Sequence, residues 1–432
     1  MPRTQAGLWL ALACGLAAQP LTAQDADRIW GRVTTVSGDV HEGFIRWDRN
    51  EGSWADILDG SKDVAPEVYE RWIEFTKSGE RPVRTLDVKG YRVSWNEDDP
   101  DFPMLSPSGI RFGHISSLSV VGEDEAELLL KSGERLILSG GSTDIGRSIR
   151  DVIVEPRRGD AIELDWPDID EVTFAAVPAG VRAASPRLYG TVEDQLGNRF
   201  TGYISWDLDE IFGSDILDGD DPDGDSRRIA FSEIRSIEGG RRASTVTLKN
   251  GDVLELDDSN DVDRGNRGVQ ISDPTLGMIE VEWEEFSRID LTPAPEPYAY
   301  EAFDGGHRLT GTVTTQTGES YAGLIRWDAD EEWSWEFLDG RWEDVKFTVE
   351  FSNIAHIARA EVFGAEVTLT DGRMLELEDR SDVDWDNRGV FIFPYPEGPE
   401  AMTATVQYVP WEDFAEVTFE HRDRRETTGG GR

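Results

Sequence analysis

Apolar positions along the chain recur mainly at a period of two, the strand period, and only rarely at the three-to-four spacing of an amphipathic helix. Val246, Leu248, Leu254 and Leu256 fall on one face of a hairpin whose tip is Asn250-Gly251. Such a pair accepts positive φ at both turn positions and closes a tight two-residue turn. Ile45 and Trp47 point one way, Phe44 and Arg46 the other. Gly38, Gly197 and Gly318 stand where similar tips are expected. The pattern predicts an all-β chain of short strands and tight turns, with Tyr69–Phe75 the one stretch suited to a turn or two of helix.

The pattern also repeats. Gly31, Gly38, Gly43, Trp47-Asp48, Glu51 and Leu58-Asp59-Gly60 recur without a gap as Gly190, Gly197, Gly202, Trp206-Asp207, Glu210 and Leu217-Asp218-Gly219. They recur again as Gly311, Gly318, Gly323, Trp327-Asp328, Glu331 and Leu338-Asp339-Gly340. Each copy continues into a second half that carries an Asp and an Arg six apart and ends in a Trp-containing apolar run: Trp166, Trp283 and Trp411. Three tandem units follow, over residues 28–174, 187–291 and 308–419. Gly219 to Asp261 and Gly340 to Asp382 span 42 positions, whereas Gly60 to Asp144 spans 84. The first copy therefore carries an insert at about 61–108, and inserts of this length are where function often sits. Two half-units with similar endings predict a barrel or sandwich per copy, built as two small barrel-like halves whose closure would remove open strand edges.

Charge narrows the possible partners. The 432 residues carry 87 acidic and 43 basic side chains, a net charge of −44. That sign repels phosphate, which excludes general nucleic-acid binding and docking on anionic membranes. Fifteen Trp and 10% aromatic content separate the chain from disordered acidic sequences. Residues 1–23 read as a secretory signal: Arg3, an apolar run from Leu8 to Ala18, and a small residue, Ala23, before the cleavage point. The run is too short to span a bilayer. The sole cysteine, Cys14, lies inside it, so cleavage after Ala23 leaves no thiol for disulfides, metal sites or nucleophilic catalysis. Lipid anchoring at Cys14 is the alternative, but Ala11 stands where such signals favour Leu. The expected location is periplasmic or extracellular, with no transmembrane segment and a loose tail over 420–432.

The Gly-tipped hairpin, second glycine and apolar-x-x-Asp run of each first half, as in Gly323-Leu-Ile-Arg-Trp-Asp328, resemble the early strands of Sm-like small β-barrels. The resemblance covers about twenty residues per copy and implies a barrel fold. Where such proteins often carry an RNA-contacting Asn, this chain has Glu51, Glu210 and Glu331, so no RNA activity carries over.

Three constellations are candidates for chemistry. Asp48, Glu51 and Asp59 recur as Asp207, Glu210 and Asp218, and as Asp328, Glu331 and Asp339. Oxygen donors of this kind suit calcium, while Asp after a strand and Asp-Gly are also ordinary turn chemistry. Asp144 and Arg150, Asp261 and Arg267, and Asp382 and Arg388 are expected to form ion pairs clamping a loop. Trp333 and Trp335, if on one strand face, could stack on sugar rings; packing between repeats is the alternative. The five histidines share no column, and no nucleophile elbow or phosphate loop is present. The sequence thus reads as a non-catalytic binding or scaffold module with a protein or polymer partner and no cofactor. A calcium-stabilised surface protein and a glycan-binding or glycan-acting protein are its rivals.

Overall fold

A computed structural model describes residues 25–64, 84–88, 91–95, 105–140, 144–240, 242–295, 297–360, 364–395 and 406–421. The signal segment, Tyr69–Phe75 and the tail beyond His421 lie outside them. Among the described residues there is no α-helix. Copy one contributes β1 (Trp30–Thr35), β2 (Val40–Trp47), β3 (Ile57–Asp63), β4 (Arg84–Val88), β5 (Tyr91–Trp95) and β6 (Leu105–Arg111). It continues with β7 (Ile115–Val120), β8 (Glu125–Leu130), β9 (Arg135–Ser139), β10 (Val152–Pro156), β11 (Ile162–Leu164) and β12 (Ile169–Phe174). Ten of these form one antiparallel sheet in the order β11-β10-β2-β1-β12-β7-β8-β9-β3-β6, while β4 and β5 form a hairpin inside the insert.

Copy two consists of β13 (Tyr189–Asp194), β14 (Arg199–Trp206), β15 (Ile216–Asp220), β16 (Ser226–Ala230) and β17 (Ile234–Glu238), then β18 (Ser244–Leu248), β19 (Val253–Leu256), β20 (Val269–Asp273), β21 (Gly277–Val281) and β22 (Phe286–Leu291). Copy three consists of β23 (Thr310–Thr315), β24 (Ser320–Arg326), β25 (Phe337–Trp342), β26 (Val345–Glu350) and β27 (Ile354–Arg359), then β28 (Gly364–Leu369), β29 (Met374–Glu378), β30 (Val390–Phe393), β31 (Gln407–Val409) and β32 (Phe414–Phe419). Copy three reproduces the first copy's order strand for strand, as β31-β30-β24-β23-β32-β27-β28-β29-β25-β26. Copy two runs β21-β20-β14-β13-β22-β17-β18-β19, with the β15–β16 hairpin held beside β19 by an Asp220–Asp257 bridge. Pairing of β21 with β26 joins copies two and three into one 18-stranded sheet.

This order corrects the expected pair of barrels per copy. The first strand of each copy pairs with the second and also with the last: Gly31 lies opposite both Gly43 and Phe174. The two halves therefore share one sheet, and no sheet among the described residues closes into a barrel. The reason lies in the two tryptophan columns. Trp47 meets Trp166 edge-on, with ring centroids 6.3 Å apart; Trp206 meets Trp283 and Trp327 meets Trp411 at 5.9 Å. Each half buries its apolar face against the other rather than curling on itself. Copies two and three share one continuous apolar core. Copy one has its own, which admits Phe303 and Trp335 from the third copy and its lead-in.

The recurring second glycine has a steric cause. A Cβ at Gly43, Gly202 or Gly323 would strike the carbonyl oxygen of Glu155, Ser272 or Phe393 on the adjoining strand. The insert grows from one hairpin. β3 and β6 pair from Ile57↔Arg111 to Asp63↔Leu105, so the extra chain begins after Asp63 and ends before Leu105. In copies two and three the matching hairpin is closed by a short turn.

Candidate functional site

Each Trp-Asp step ends a strand in a tight loop that returns to Glu51, Glu210 or Glu331. The Asp and the residue after it have positive φ in all three copies: 40° and 67° at Asp48-Arg49, 47° and 65° at Asp207-Leu208, 43° and 71° at Asp328-Ala329. Asp accepts this backbone better than most residues because its short side chain finds local hydrogen bonds. Here those bonds lead to the copy's second half. Asp48 Oδ1 accepts the Arg150 backbone N–H at 2.5 Å and Asp207 Oδ1 that of Arg267 at 2.6 Å; Asp328 Oδ1 accepts that of Arg388. The arginine side chains follow. Arg267 Nη2 is 3.2 Å from Asp207 Oδ2, Arg388 Nη1 is 3.0 Å from Asp328 Oδ2, and Arg150 Nε is 3.5 Å from Asp48 Oδ1.

The expected Asp144–Arg150, Asp261–Arg267 and Asp382–Arg388 pairs are therefore corrected: each Arg pairs with the Trp-Asp carboxylate instead. The earlier Asp of each pair has another task. Oδ2 of Asp144, Asp261 and Asp382 accepts the backbone N–H of Asp59, Asp218 and Asp339 at 2.7–2.8 Å. The carbonyl oxygens of the same three residues accept the indole N–H of Trp47, Trp206 and Trp327 at 2.8–3.0 Å. One loop thus ties the buried indole, the Leu-Asp-Gly strand and the Trp-Asp turn together.

These ties gather the sequence-predicted acids. Glu51 has Asp144, Asp56, Asp48 and Asp59 as its charged neighbours; Glu210 has Asp209, Asp261, Asp207 and Asp215. The turn glutamate of every copy is orphaned: Oε2 of Glu51, Glu210 and Glu331 is buried without a hydrogen-bond partner. Burial, and then neighbouring carboxylates, push Glu51 and Glu331 well above the usual glutamate range and Glu210 up to about 9. The fold favours the protonated acid, because a lone carboxylate loses its hydration there. The stabilising contribution of Glu210 is complete below the ordinary value of 4.5 and is lost as pH rises towards about 9. Glu210→Gln keeps the neutral shape. It is expected to raise stability at pH 8 by roughly 1–3 kcal/mol and to flatten the decline of melting temperature between mildly acidic and alkaline pH. Parallel declines in variant and parent would show that this carboxyl is not the cause.

A second acid in each turn, Asp56, Asp215 or Glu336, accepts two backbone N–H groups of its own loop. Each is also held by a cation from another copy. Arg187 Nη2 reaches Asp56 at 3.0 Å, Arg46 Nη1 reaches Asp215 at 2.8 Å, and Lys62 pairs with Glu336. These three cations were not singled out from the sequence. Periodicity reports what recurs within a copy, not what one copy offers another. The one available signal was the column Arg28, Arg187 and Arg308, three residues before each copy's first glycine.

Where copies one and three meet, the acids line a cleft of about 260 Å³. Asp328, Asp330, Glu331, Asp339 and Asp382 come from copy three. Asp59, Lys62 and Ser106–Gly109 of the insert-bearing hairpin form the facing wall. Enclosure in the cleft, and then Asp144 and Asp339, push the Asp59 carboxyl up to about 7. Trp333 and Trp335 do not form the expected stacking face. They lie in a turn; Trp335 is 2% exposed and packs into the copy-one core, and Trp333 lies half-buried with the Arg308 guanidinium 5.3 Å from its ring centre. A sugar ring cannot reach the buried indole.

The fold and site define an acidic, all-β tandem-repeat protein with a carboxylate-lined cleft between its first and third copies. No family model, no curated protein and no solved structure matches the chain.

Proposed function

We propose that the protein is a non-catalytic binding or scaffold module of the periplasm or cell exterior, and that its binding site is the acidic cleft, which takes a cationic ligand. The observation that carries this reading is the lining of the cleft: seven acidic side chains against two basic ones, Lys62 and Arg388. Three of these acids are held in place by neighbouring groups. Asp328 is held by Arg388, Asp382 by the Asp339 N–H, and Asp339 Oδ1 by the Thr348 hydroxyl at 2.7 Å. Preorganised acceptors of one sign bind a cation without first ordering themselves.

Binding of a fluorescent oligolysine peptide at low ionic strength tests the reading. Asp330→Asn with Asp339→Asn is expected to weaken binding at least tenfold. The pair Asp223→Asn and Asp225→Asn, on the exposed β15–β16 tip, removes the same charge and is expected to leave binding within twofold. Equal losses in both would mean that net charge alone draws the peptide, and the cleft would lose its role.

A further inference from the structure

We propose that the protein associates with further copies of itself head to tail, by antiparallel pairing of the β11 edge of one molecule (Ile162–Leu164) with the β16 edge of the next (Ser226–Ala230). This surface lies outside the acidic cleft and uses none of its residues.

A joint of this kind already exists inside the chain. β21 of copy two pairs with β26 of copy three from Met278↔Thr348 to Glu280↔Lys346. Ion pairs reinforce it: Lys346 Nζ lies 2.7 Å from Glu280 and 3.2 Å from Glu282. Counted back from Trp166 and Trp283, β11 is the copy-one counterpart of β21, with Glu163 in the place of Glu280 and Asp165 in that of Glu282. Counted back from Phe231 and Phe351, β16 is the copy-two counterpart of β26, with Ser226, Arg227 and Arg228 in the places of Lys346, Phe347 and Thr348. These two counterparts are not paired with each other; copies one and two meet through their Trp-Asp turns instead. Among the described residues, β11 pairs only with β10 and β16 only with β15. Ala161, Glu163, Ser226, Arg227 and Arg228 are exposed. An open edge of this kind is a template for another strand.

Charge selects the partner. The β11 edge is acidic, with Asp160, Glu163 and Asp165, while β16 offers two adjacent arginines in a chain of net charge −44. In the register of the internal joint, Ile162 faces Arg227 and Glu163 faces Ser226. Glu163 and Arg228 then share a face one diagonal apart, within reach of a long side chain. Arg227 and Arg228 are paired with Asp221 and Asp218 of their own hairpin, but the arginine side chains are 46% and 69% accessible. Exposed pairs of this kind exchange at little cost. Two differences make the joint weaker than its template. Arg227 replaces the buried Phe347, and Asp160 stands in the place of Gly277, where a Cβ would strike the Thr348 carbonyl oxygen. Association is therefore reversible. Because the two edges are different surfaces, each molecule joined by one keeps the other free, and association runs on into chains or closes into a ring.

Sedimentation velocity of the purified protein over a concentration series tests the joint, at about 0.15 M salt, where repulsion between exposed charges beyond about 8 Å is screened. Mean mass is expected to rise with concentration. Glu163→Lys and Arg228→Glu, both at exposed positions, should each weaken association at least tenfold, because like charges then face each other across the strands. The double variant restores an opposite-charge pair and should recover most of the loss. Glu163→Lys makes the net charge less negative and Arg228→Glu more so; a general charge effect would move the two variants in opposite directions. Such opposite shifts would overturn the inference, as would a double variant no better than the singles. A protein that stays monomeric throughout would overturn it too, and would leave the β11 and β16 edges to a different extended chain.

Discussion

Arg187→Met is expected to destabilise the protein by roughly 3–5 kcal/mol, the range for removing one partner of a buried ion pair. The Arg187 side chain is 1% exposed and that of its partner Asp56 7%. Its guanidinium donates to Asp56 Oδ1 at 3.0 Å, to the Ile211 carbonyl at 3.1 Å, to Ser205 Oγ at 3.0 Å and to the Ile204 carbonyl. Methionine fills much of the space but strands a buried carboxylate and several acceptors. The shift of the urea midpoint measures the loss. Adding Asp56→Asn should recover part of it, because the amide oxygen can still accept the Gly52 and Ser53 N–H groups without carrying charge. Arg32→Met removes an exposed ion pair, with side chains 59% and 42% accessible, and should cost well under about 1 kcal/mol. If the two single variants behaved alike, the inter-copy ion pair would not be a structural joint.

Trp327→Ala is expected to cost about 3–5 kcal/mol, the usual range for emptying a fully packed aromatic site. Trp327 is 0% exposed and lies edge-on to Trp411 and Phe414, with centroids at 5.9 and 5.2 Å. Its N–H also holds the Asp382 carbonyl at 2.9 Å, so truncation loosens the loop that carries Asp382 and Arg388. Because copies two and three share one core and one sheet, Trp327→Ala should lower the stability of both together. Spectroscopic probes placed in β14 and β24 should report a single displaced transition. A loss below about 1 kcal/mol would mean that the cavity collapses, and the indole column would not be what holds the copy together.

Much of the fold was legible in the sequence because its causes are local. Alternation along Val246–Leu256 and the Asn250-Gly251 tip specify a hairpin through side-chain direction and turn φ alone, and β18 and β19 form it. The Trp-Asp turns and the gathering of Asp48, Glu51 and Asp59 were legible too, since three copies point to the same residues. The pairing of Asp and Arg six apart was not. Spacing brings the two near, but partner choice depends on a strand from the other half of the copy, which supplies the Trp-Asp carboxylate. The barrel expectation failed for a similar reason: strand edges can be satisfied by any neighbour, and here the first strand finds the last.

By itself the sequence determined the strand periodicity, the three copies, the place of the insert and the identity of the recurring buried residues, because each follows from interactions within a few residues or from the repetition itself. Only the tertiary structure decided that the halves share a sheet, that Arg187, Arg46 and Lys62 cross between copies, and that one of three equivalent acidic turns opens into a cleft. Equivalent sequences acquire unequal surroundings when they pack against one another, and charge compensation depends on those surroundings.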